Sequence, residues 1–240
     1  MWANLRAPHA HDDFSEAEQG YLVSATDLMI GLLFVFIILV VVLALEQKSQ
    51  QENIFRLEDP RGSVTKDIGE GIKIALPGVR IDRESGVISL PEDVLFDLGS
   101  AQLKPQARIA LAGAVRQLSY VLPCYVANQK NSRKCTNNVA GHEIDTIFIE
   151  GHTDNVPMKR ARYSNIKLSL DRAEAVDQAL VQGTVLEGYR NKGGQPLFSY
   201  SAYADKRPLK GLLPSDGRNR RVDLRIVLTY KPLKDLLQQN

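Results

Sequence analysis

An uninterrupted apolar run constrains this chain more than any other feature. Leu28 to Leu45 carry no charge and no strongly polar group, and Tyr21 to Thr26 extend the run upstream. An α-helix rises about 1.5 Å per residue, so about 20 apolar residues cross the hydrocarbon core of a membrane. A cleavable signal peptide would have a basic start and a small-x-small cleavage site, and a buried core helix is rarely so long and so uniformly apolar. The run therefore predicts one retained transmembrane helix over residues 21–45.

The charges that flank this span do not settle its orientation. Residues 1–20 contain one basic residue, Arg6, among several acidic ones. Lysine and arginine near a span usually mark its cytoplasmic side, but here Lys48, Arg56 and Arg61 follow the span. The orientation of the span therefore has to be inferred from what the C-terminal domain binds.

Length and charge bound the organisation of the chain. With 240 residues it has room for one or two domains. A net charge of +2 without a basic cluster gives no reason to expect a nucleic-acid partner. We predict an N-terminal tail, the span, a linker and lead-in, a folded domain and a C-terminal tail, at residues 1–20, 21–45, 46–85, 86–232 and 233–240. In the linker, Pro60 and Gly62 predict that a helix ends near Leu57 and irregular structure follows to about residue 70.

The folded domain alternates between strand and helix patterns. β-branched, alternating segments predict strands at 86–90, 144–150, 198–203 and 222–228. Apolar residues at helical spacing predict amphipathic helices over 105–121 and 168–181. Strands interleaved with helices indicate an α/β (α+β) sandwich, in which the helices cover one face of a mixed sheet.

The two cysteines, Cys124 and Cys135, flank a polar stretch. A structural zinc site needs four ligands, and the spacing of His142 and His152 fits no common zinc pattern. We therefore expect no metal. A loop disulfide is favoured over two free thiols and would indicate an oxidising compartment.

A set of motifs in this domain resembles the OmpA-like peptidoglycan-binding domain over roughly residues 86–230. The motifs are an opening segment Leu95–Pro105, then Gly151-His-Thr-Asp154, Ser164–Ser169, Asp171-Arg-Ala173 and Asn219-Arg-Arg-Val222. The stretch around Cys124 to Gly141 is longer than the family usually shows at this place.

The resemblance implies that the domain binds the diaminopimelate of a peptidoglycan stem peptide. The free end of diaminopimelate carries an ammonium and a carboxylate, and arginine suits the carboxylate because its guanidinium is a planar fork. By resemblance Asp154 takes the ammonium and Arg172 the carboxylate. Asn165 shapes the loop, Leu168 helps form the pocket wall, and Asn219 and Arg220 lie near the same pocket.

The same residues also have structural interpretations. Asp154 could be a turn residue and Arg172 a surface charge on a helix, while Asn219 and Arg220 could stabilise the start of the last strand. His152 fits a packed residue at a strand end better than a catalyst. The sequence contains no Ser/His/Asp or Cys/His arrangement in a helpful context, so we expect no enzyme activity.

Asp27, six residues into the span, is the carboxylate of the predicted membrane helix. A charged aspartate costs roughly 2.5–3.5 kcal/mol at the centre of a span. Apolar surroundings raise the pKa of a carboxyl group, which lets such a group bind and release a proton near neutral pH. Tyr21, Ser24 and Gly31 follow helical spacing with Asp27 and would share its face towards the ion path, and Gly31 would let another helix approach. The alternative is that Asp27 lies at the interface and the apolar core begins after it.

The order of tail, span with an early aspartate, linker and OmpA-like domain resembles MotB, the wall-anchored stator family of the flagellar motor. That resemblance implies a single-pass inner-membrane protein with a cytoplasmic N-terminus and a periplasmic domain. It also implies a homodimer inside a ring of a larger MotA-like or ZorA-like subunit, with protons as the coupling ion and no other cofactor. The short linker and the span from Ser24 to Phe36 resemble the ZorB family of Zorya anti-phage systems more than the flagellar version. A flagellar stator subunit and a passive membrane-to-wall anchor are the alternatives.

Overall fold

The computed structural model describes the backbone of residues 13–58, 60–132, 135–138, 141–158 and 163–230. Side chains are described for residues 26–48, 60–129, 135–138, 141–158 and 163–230. The internal contacts divide the chain into two units, residues 1–55 and 56–240, and each unit is described by itself.

The first unit is built on one long helix, α1, which spans Asp13–Glu58. Within it, Thr26–Lys48 has a mean hydropathy of 3.4, and its side chains are exposed in the single chain. The predicted apolar helix is therefore present, and its length and composition suffice to cross a membrane. The helix continues beyond residue 45 through a segment rich in Gln, Glu and Lys, which are good helix formers.

The second unit combines a five-stranded sheet with four helices among its described residues. The helices are α2 (Pro60–Ala75), α3 (Glu92–Leu95), α4 (Pro105–Val121) and α5 (Asn165–Leu180). The strands are β1 (Arg80–Asp82), β2 (Val87–Pro91), β3 (Ile144–His152), β4 (Phe198–Ala204) and β5 (Arg221–Leu228). Short 3-10 turns form at Leu122–Cys124, Ala127–Ser132, Val185–Gly188 and Gly217–Asn219.

The sheet has the strand order β1-β2-β5-β3-β4. β3 and β4 are parallel, and the other neighbouring strands are antiparallel. Alternate side chains of the central strands, such as Ile147, Ile149, Leu224 and Ile226, enter one hydrophobic core with the apolar sides of α2, α4 and α5. The predicted mixed sheet with its helices on one face is confirmed.

The prediction of irregular structure before residue 70 is wrong. Pro60 starts α2, and proline is well tolerated in the first turn of a helix because the missing N–H has no partner there. Gly62 is buried within the helix, while Val64, Ile68 and Ile72 belong to the hydrophobic core. Packing therefore outweighs the helix-breaking tendency of the sequence.

The extra loop between α4 and β3 is closed by a disulfide between Cys124 and Cys135. Asn138 also holds this loop, because its Nδ2 donates to the carbonyl oxygens of Cys124 and His142, both at 2.7 Å. The Tyr125 hydroxyl donates to Asp67 Oδ2 at 2.6 Å and ties the base of the loop to α2.

Candidate functional site

The site begins where α5 crosses β3. A Cβ on Gly151 would lie 1.8 Å from the carbonyl oxygen of Ser169, so only glycine allows strand and helix to approach this closely. The crossing brings the carboxyl end of β3, which leads to Asp154, beside the helix that carries Arg172. The glycine of the Gly-His-Thr-Asp motif thus has a packing role.

The loop after β3 is held in shape by side-chain hydrogen bonds. Asn165 Nδ2 donates to the carbonyl oxygens of Asp154 at 3.1 Å and Val156 at 3.0 Å. Asp154 Oδ1 accepts from the backbone N–H of Val156 at 3.2 Å. Ser164 caps α5 by accepting from the backbone N–H of Lys167. These bonds leave Asp154 Oδ2 for a charged partner.

Four charged side chains then form a continuous chain of alternating sign, which we call the strand-end cluster: Asp154, Arg220, Glu92 and Arg172. Arg220 Nη1 donates to Asp154 Oδ2 at 2.7 Å, and Arg220 Nε donates to Glu92 Oε2. The other oxygen of Glu92 accepts from Arg172 Nη2. Arg220 and Glu92 therefore connect Asp154 to Arg172.

Arg172 is the most enclosed member of the strand-end cluster, with 1 % of its surface exposed. Its Nε donates to the carbonyl oxygen of Ser100 at 2.8 Å, and its guanidinium lies over the ring of Phe96. Its Nη1 is buried and has no hydrogen-bond partner among the described residues. Burial lowers the pKa of Arg172, Glu92 opposes this, and Arg220 adds to it. Arg172 thus retains an unused donor in a site that holds another cation.

Arg220 is the more accessible arginine, with a side chain that is 28 % exposed. Burial alone would lower its pKa, but the bonds to Asp154 and Glu92 raise it. The strand-end cluster therefore has one accessible guanidinium, that of Arg220, and one buried guanidinium, that of Arg172.

The other predicted residues take supporting positions. Leu168 lies near the start of α5 and is buried. Asn219 is also buried: its Oδ1 accepts from the backbone N–H of Leu209, and its Nδ2 donates to the carbonyl oxygens of Leu213 and Pro214. The structure therefore places Asn219 as a brace for the turn before β5, with its side chain already engaged.

Glu92 is the functional candidate that the sequence analysis missed. It follows β2 directly, and Asp154 lies two residues after the end of β3, so a carboxylate close behind a predicted strand was the available signal. Its position in a four-residue helix, just before the opening segment Leu95–Pro105, hid that signal.

A second charged group, the sheet-face network, lies on the sheet face away from the core: Glu150, His152, Asp223, Arg221 and Arg225. Arg225 donates twice to Glu150, at 2.9 Å each, and Arg221 Nε donates to both oxygens of Asp223 at 3.1 and 2.9 Å. His152 stacks on Tyr203, with Nε2 at 3.3 Å from Asp223 Oδ2.

Ligand atoms of Glu150, His152 and Asp223 lie within 4.8 Å of one another, which is close enough to consider a metal ion. Each carboxylate already accepts two bonds from an arginine, and a divalent cation would have to compete with both guanidinium groups. The donor set therefore fits an internal ion-pair network better than a metal centre.

On α1, Asp27 and Gly31 lie one helical turn apart, and both are exposed in the single chain. A Cβ on Gly31 would meet no atom within 4 Å. Tyr21 and Ser24 belong to the same helix, but their side chains lie outside the described residues.

The OmpA family model matches residues 95–219, slightly more than half of the chain. Motility protein B of Bacillus subtilis (strain 168) is 26% identical over 151 residues, which cover 62% of this chain and 47% of that protein. The chain thus matches about half the length of this curated relative.

Two solved structures are similar as well. A putative MotB like protein from Desulfovibrio vulgaris has 22% identity and a TM-score of 0.45, with 74% of this chain and 95% of that chain covered. The cell wall anchor of the T6SS from Pseudomonas aeruginosa has 22% identity and a TM-score of 0.43, covering 67% and 94%.

Proposed function

This chain belongs to the OmpA family, and from that premise we propose that it anchors an inner-membrane complex to the cell wall by binding peptidoglycan. The observation that carries the proposal is the strand-end cluster, which joins Asp154 to Arg172 through Arg220 and Glu92. The cluster offers both a carboxylate and guanidinium groups where neighbouring strands of the sheet end. This combination matches a ligand with an ammonium and a carboxylate.

The proposed ligand is the free end of diaminopimelate in a stem peptide. Its ammonium would pair with Asp154, and its carboxylate would be bound by the arginines. Arg220 would meet the carboxylate first because it is the accessible guanidinium, and the unused Nη1 of Arg172 would bind it at the back of the site. Since Arg172 is nearly inaccessible, entry would require side chains of the cluster to move aside.

Binding of the full chain to purified peptidoglycan sacculi tests this proposal. Arg172→Ala removes a charge-assisted hydrogen bond, so we expect the binding free energy to weaken by about 1.5–3 kcal/mol. Arg108→Ala, an exposed arginine on α4, is the matched control and should bind like the wild type. Wild-type binding by folded Arg172→Ala would refute the site.

The first unit supports the second part of the proposal, an ion-driven complex in the inner membrane. Asp27 would carry the coupling proton, with Tyr21, Ser24 and Gly31 on the same side of α1 facing the ion path. The N-terminus would be cytoplasmic and the domain periplasmic. Two copies would lie inside a ring of a larger MotA-like or ZorA-like subunit. The similarity to Motility protein B supports this arrangement.

We favour anti-phage defence over flagellar motility as the biological setting, and this choice rests on the resemblance of the span and linker to the ZorB family. Phage plaquing on cells with the native operon should show protection that Asp27→Asn abolishes and Asp27→Glu partly restores. Swimming restored in a stator-less strain, without protection, would identify a flagellar subunit instead. Unchanged function of Asp27→Asn would leave only a passive anchor.

A further inference from the structure

A cleft opens next to the strand-end cluster and shares Glu92 and Arg220 with it. Its volume is about 500 Å³, and its walls come from β1, the turn after β2 and the turn before β5. Small-molecule sites in proteins usually enclose about 300–1,000 Å³, so this cleft could hold one amino-acid residue of a larger ligand.

Two charged residues of the cleft have no ion-pair partner among the described residues: Arg80 and Asp93. The other charges are already engaged, since Glu92 accepts from two arginines and Arg218 donates to Asp216 at 2.7 Å. The cleft therefore offers one unused cation and one unused anion. This combination suits a group that carries a carboxylate beside an N–H donor.

A third polar group faces the cleft from Arg220. Its Nε and Nη1 bond to Glu92 and Asp154, while Nη2 has no hydrogen-bond partner among the described residues and lies against Gly217. A Cβ at Gly217 would be only 2.8 Å from this nitrogen, so glycine makes room for the guanidinium. Arg220 thus keeps Nη2 for an acceptor in the cleft while its other two nitrogens hold the strand-end cluster together.

We propose that this cleft is a second subsite for the stem peptide, specific for the γ-linked glutamate that precedes diaminopimelate. The α-carbon of that glutamate carries both a free carboxylate and an amide N–H, the two groups that the cleft can pair. Arg80 and Arg220 Nη2 bind the carboxylate, and Asp93 accepts from the N–H. The inference rests on the proposed peptidoglycan binding and adds a preference for the acid over its amide.

Calorimetry on the full chain in detergent micelles tests the subsite with three probes. They are free meso-diaminopimelate, the tripeptide L-Ala-γ-D-Glu-diaminopimelate, and the same tripeptide with D-isoglutamine in place of the glutamate. Because a hydrogen bond to a charged group contributes about 1.5–3 kcal/mol, we expect the acidic tripeptide to bind at least about tenfold more tightly than the amidated one. Arg80→Gln should reduce this preference to less than about twofold and leave diaminopimelate binding unchanged.

Asp93→Asn should weaken both tripeptides and spare free diaminopimelate, while Arg108→Gln should keep the wild-type preference. Equal binding of the two tripeptides by the wild type, or an unchanged preference in Arg80→Gln, would overturn the subsite while peptidoglycan binding stands. Failure of the wild type to bind any of the three probes would overturn the proposed function and the subsite together.

Discussion

Two groups of buried charges meet on β3 and its following loop, and they use their arginines differently. In the sheet-face network every donor nitrogen of Arg221 is used, since it also donates to the carbonyl oxygens of Asn219 and Arg207. In the strand-end cluster, Glu92 is shared between two arginines, and Arg172 Nη1 is left without a described partner. The carboxylates of the first group are satisfied by arginines, and its unpartnered buried nitrogens belong to His152, which is enclosed. The second group instead keeps an unused guanidinium nitrogen beside the accessible Arg220, which leaves capacity for a ligand.

The difference shows that burial of charge is a poor guide to function when it is considered alone. Glu150 and Arg172 are each about 1 % exposed, yet the surroundings of Glu150 satisfy it from within the chain. An unused donor beside an accessible charge is the more informative sign of a site. We therefore expect substitutions in the sheet-face network to lower mainly the stability of the protein, and substitutions in the strand-end cluster to weaken ligand binding.

The largest effect should come from breaking the sheet-face network. Arg225→Ala leaves the buried carboxylate of Glu150 without its bidentate partner, and loss of one partner of a buried pair costs about 3–5 kcal/mol. Urea unfolding of the full chain in one detergent should show this loss, with Arg225→Lys recovering part of it. Folded Arg225→Ala should still bind sacculi. Weakened binding by the folded variant would mean that the two groups are coupled.

A smaller loss of stability, accompanied by a loss of binding, should follow from Glu92→Gln. The substitution leaves Arg172 and Arg220 as neighbouring cations without their shared anion, so the proposed carboxylate subsite would lose its shape. We expect an unfolding free energy lower by about 1.5–3 kcal/mol and sacculus binding weaker by about tenfold. Asp97→Asn, an exposed carboxylate five residues further along the chain, is the control. Tighter binding by Glu92→Gln would show instead that Glu92 competes with the ligand.

How far the sequence predicts each region depends on how local its signal is. The alternating runs at 144–150 and 222–228 and the helical spacing after Pro105 are local patterns, and they predicted β3, β5 and α4. β1 was not predicted because a strand of three residues, Arg80–Asp82, is too short to show an alternating pattern.

The strand-end cluster could be predicted only in part, because its members lie far apart in the sequence. The family motifs indicated Asp154, Arg172 and Arg220, but Arg172 is joined to the other two only through Glu92, at sequence separations of 80 and 128 residues from the two arginines. Periodicity carries no information about such distant pairs. The saturation of Asn219 by the backbone also depends on the course of a loop that its own motif does not specify.

Acid should weaken the sheet-face network before the fold is otherwise affected. Burial would raise the pKa of Glu150 above its usual 4.5, but His152 and Arg225 have the larger, opposite effect. The pKa of Glu150 is therefore lowered. The pKa of Asp223 is also lowered, against burial, by His152 and Arg221. Groups with a lowered folded pKa stabilise the protein above their unfolded pKa and lose this contribution as the pH falls through the folded pKa.

Unfolding free energies should therefore change little between pH 7 and about pH 5 and decline at lower pH. Asp177 acts in the opposite direction, because burial raises its pKa. The difference between the wild type and Arg225→Ala isolates the network, and it should shrink as the pH falls below about 4.5. Glu70→Gln, an exposed carboxylate on α2, serves as the control. A difference that is independent of pH would contradict the assignment of Glu150 as the stabilised carboxylate.

The smallest effect should come from the exposed pair at the start of α5. Lys167 Nζ lies 3.1 Å from Asp171 Oδ1, but the side chains are 58% and 28% exposed, so water and salt screen the attraction. Lys167 also lies in the first turn, where the helix dipole disfavours a cation. We expect Lys167→Gln to lower the unfolding free energy by no more than about 0.5 kcal/mol, a difference that disappears in 1 M salt, and to leave sacculus binding unchanged. Since Asp171 precedes Arg172 directly, a clear loss of binding would extend the strand-end cluster onto the exposed side of α5.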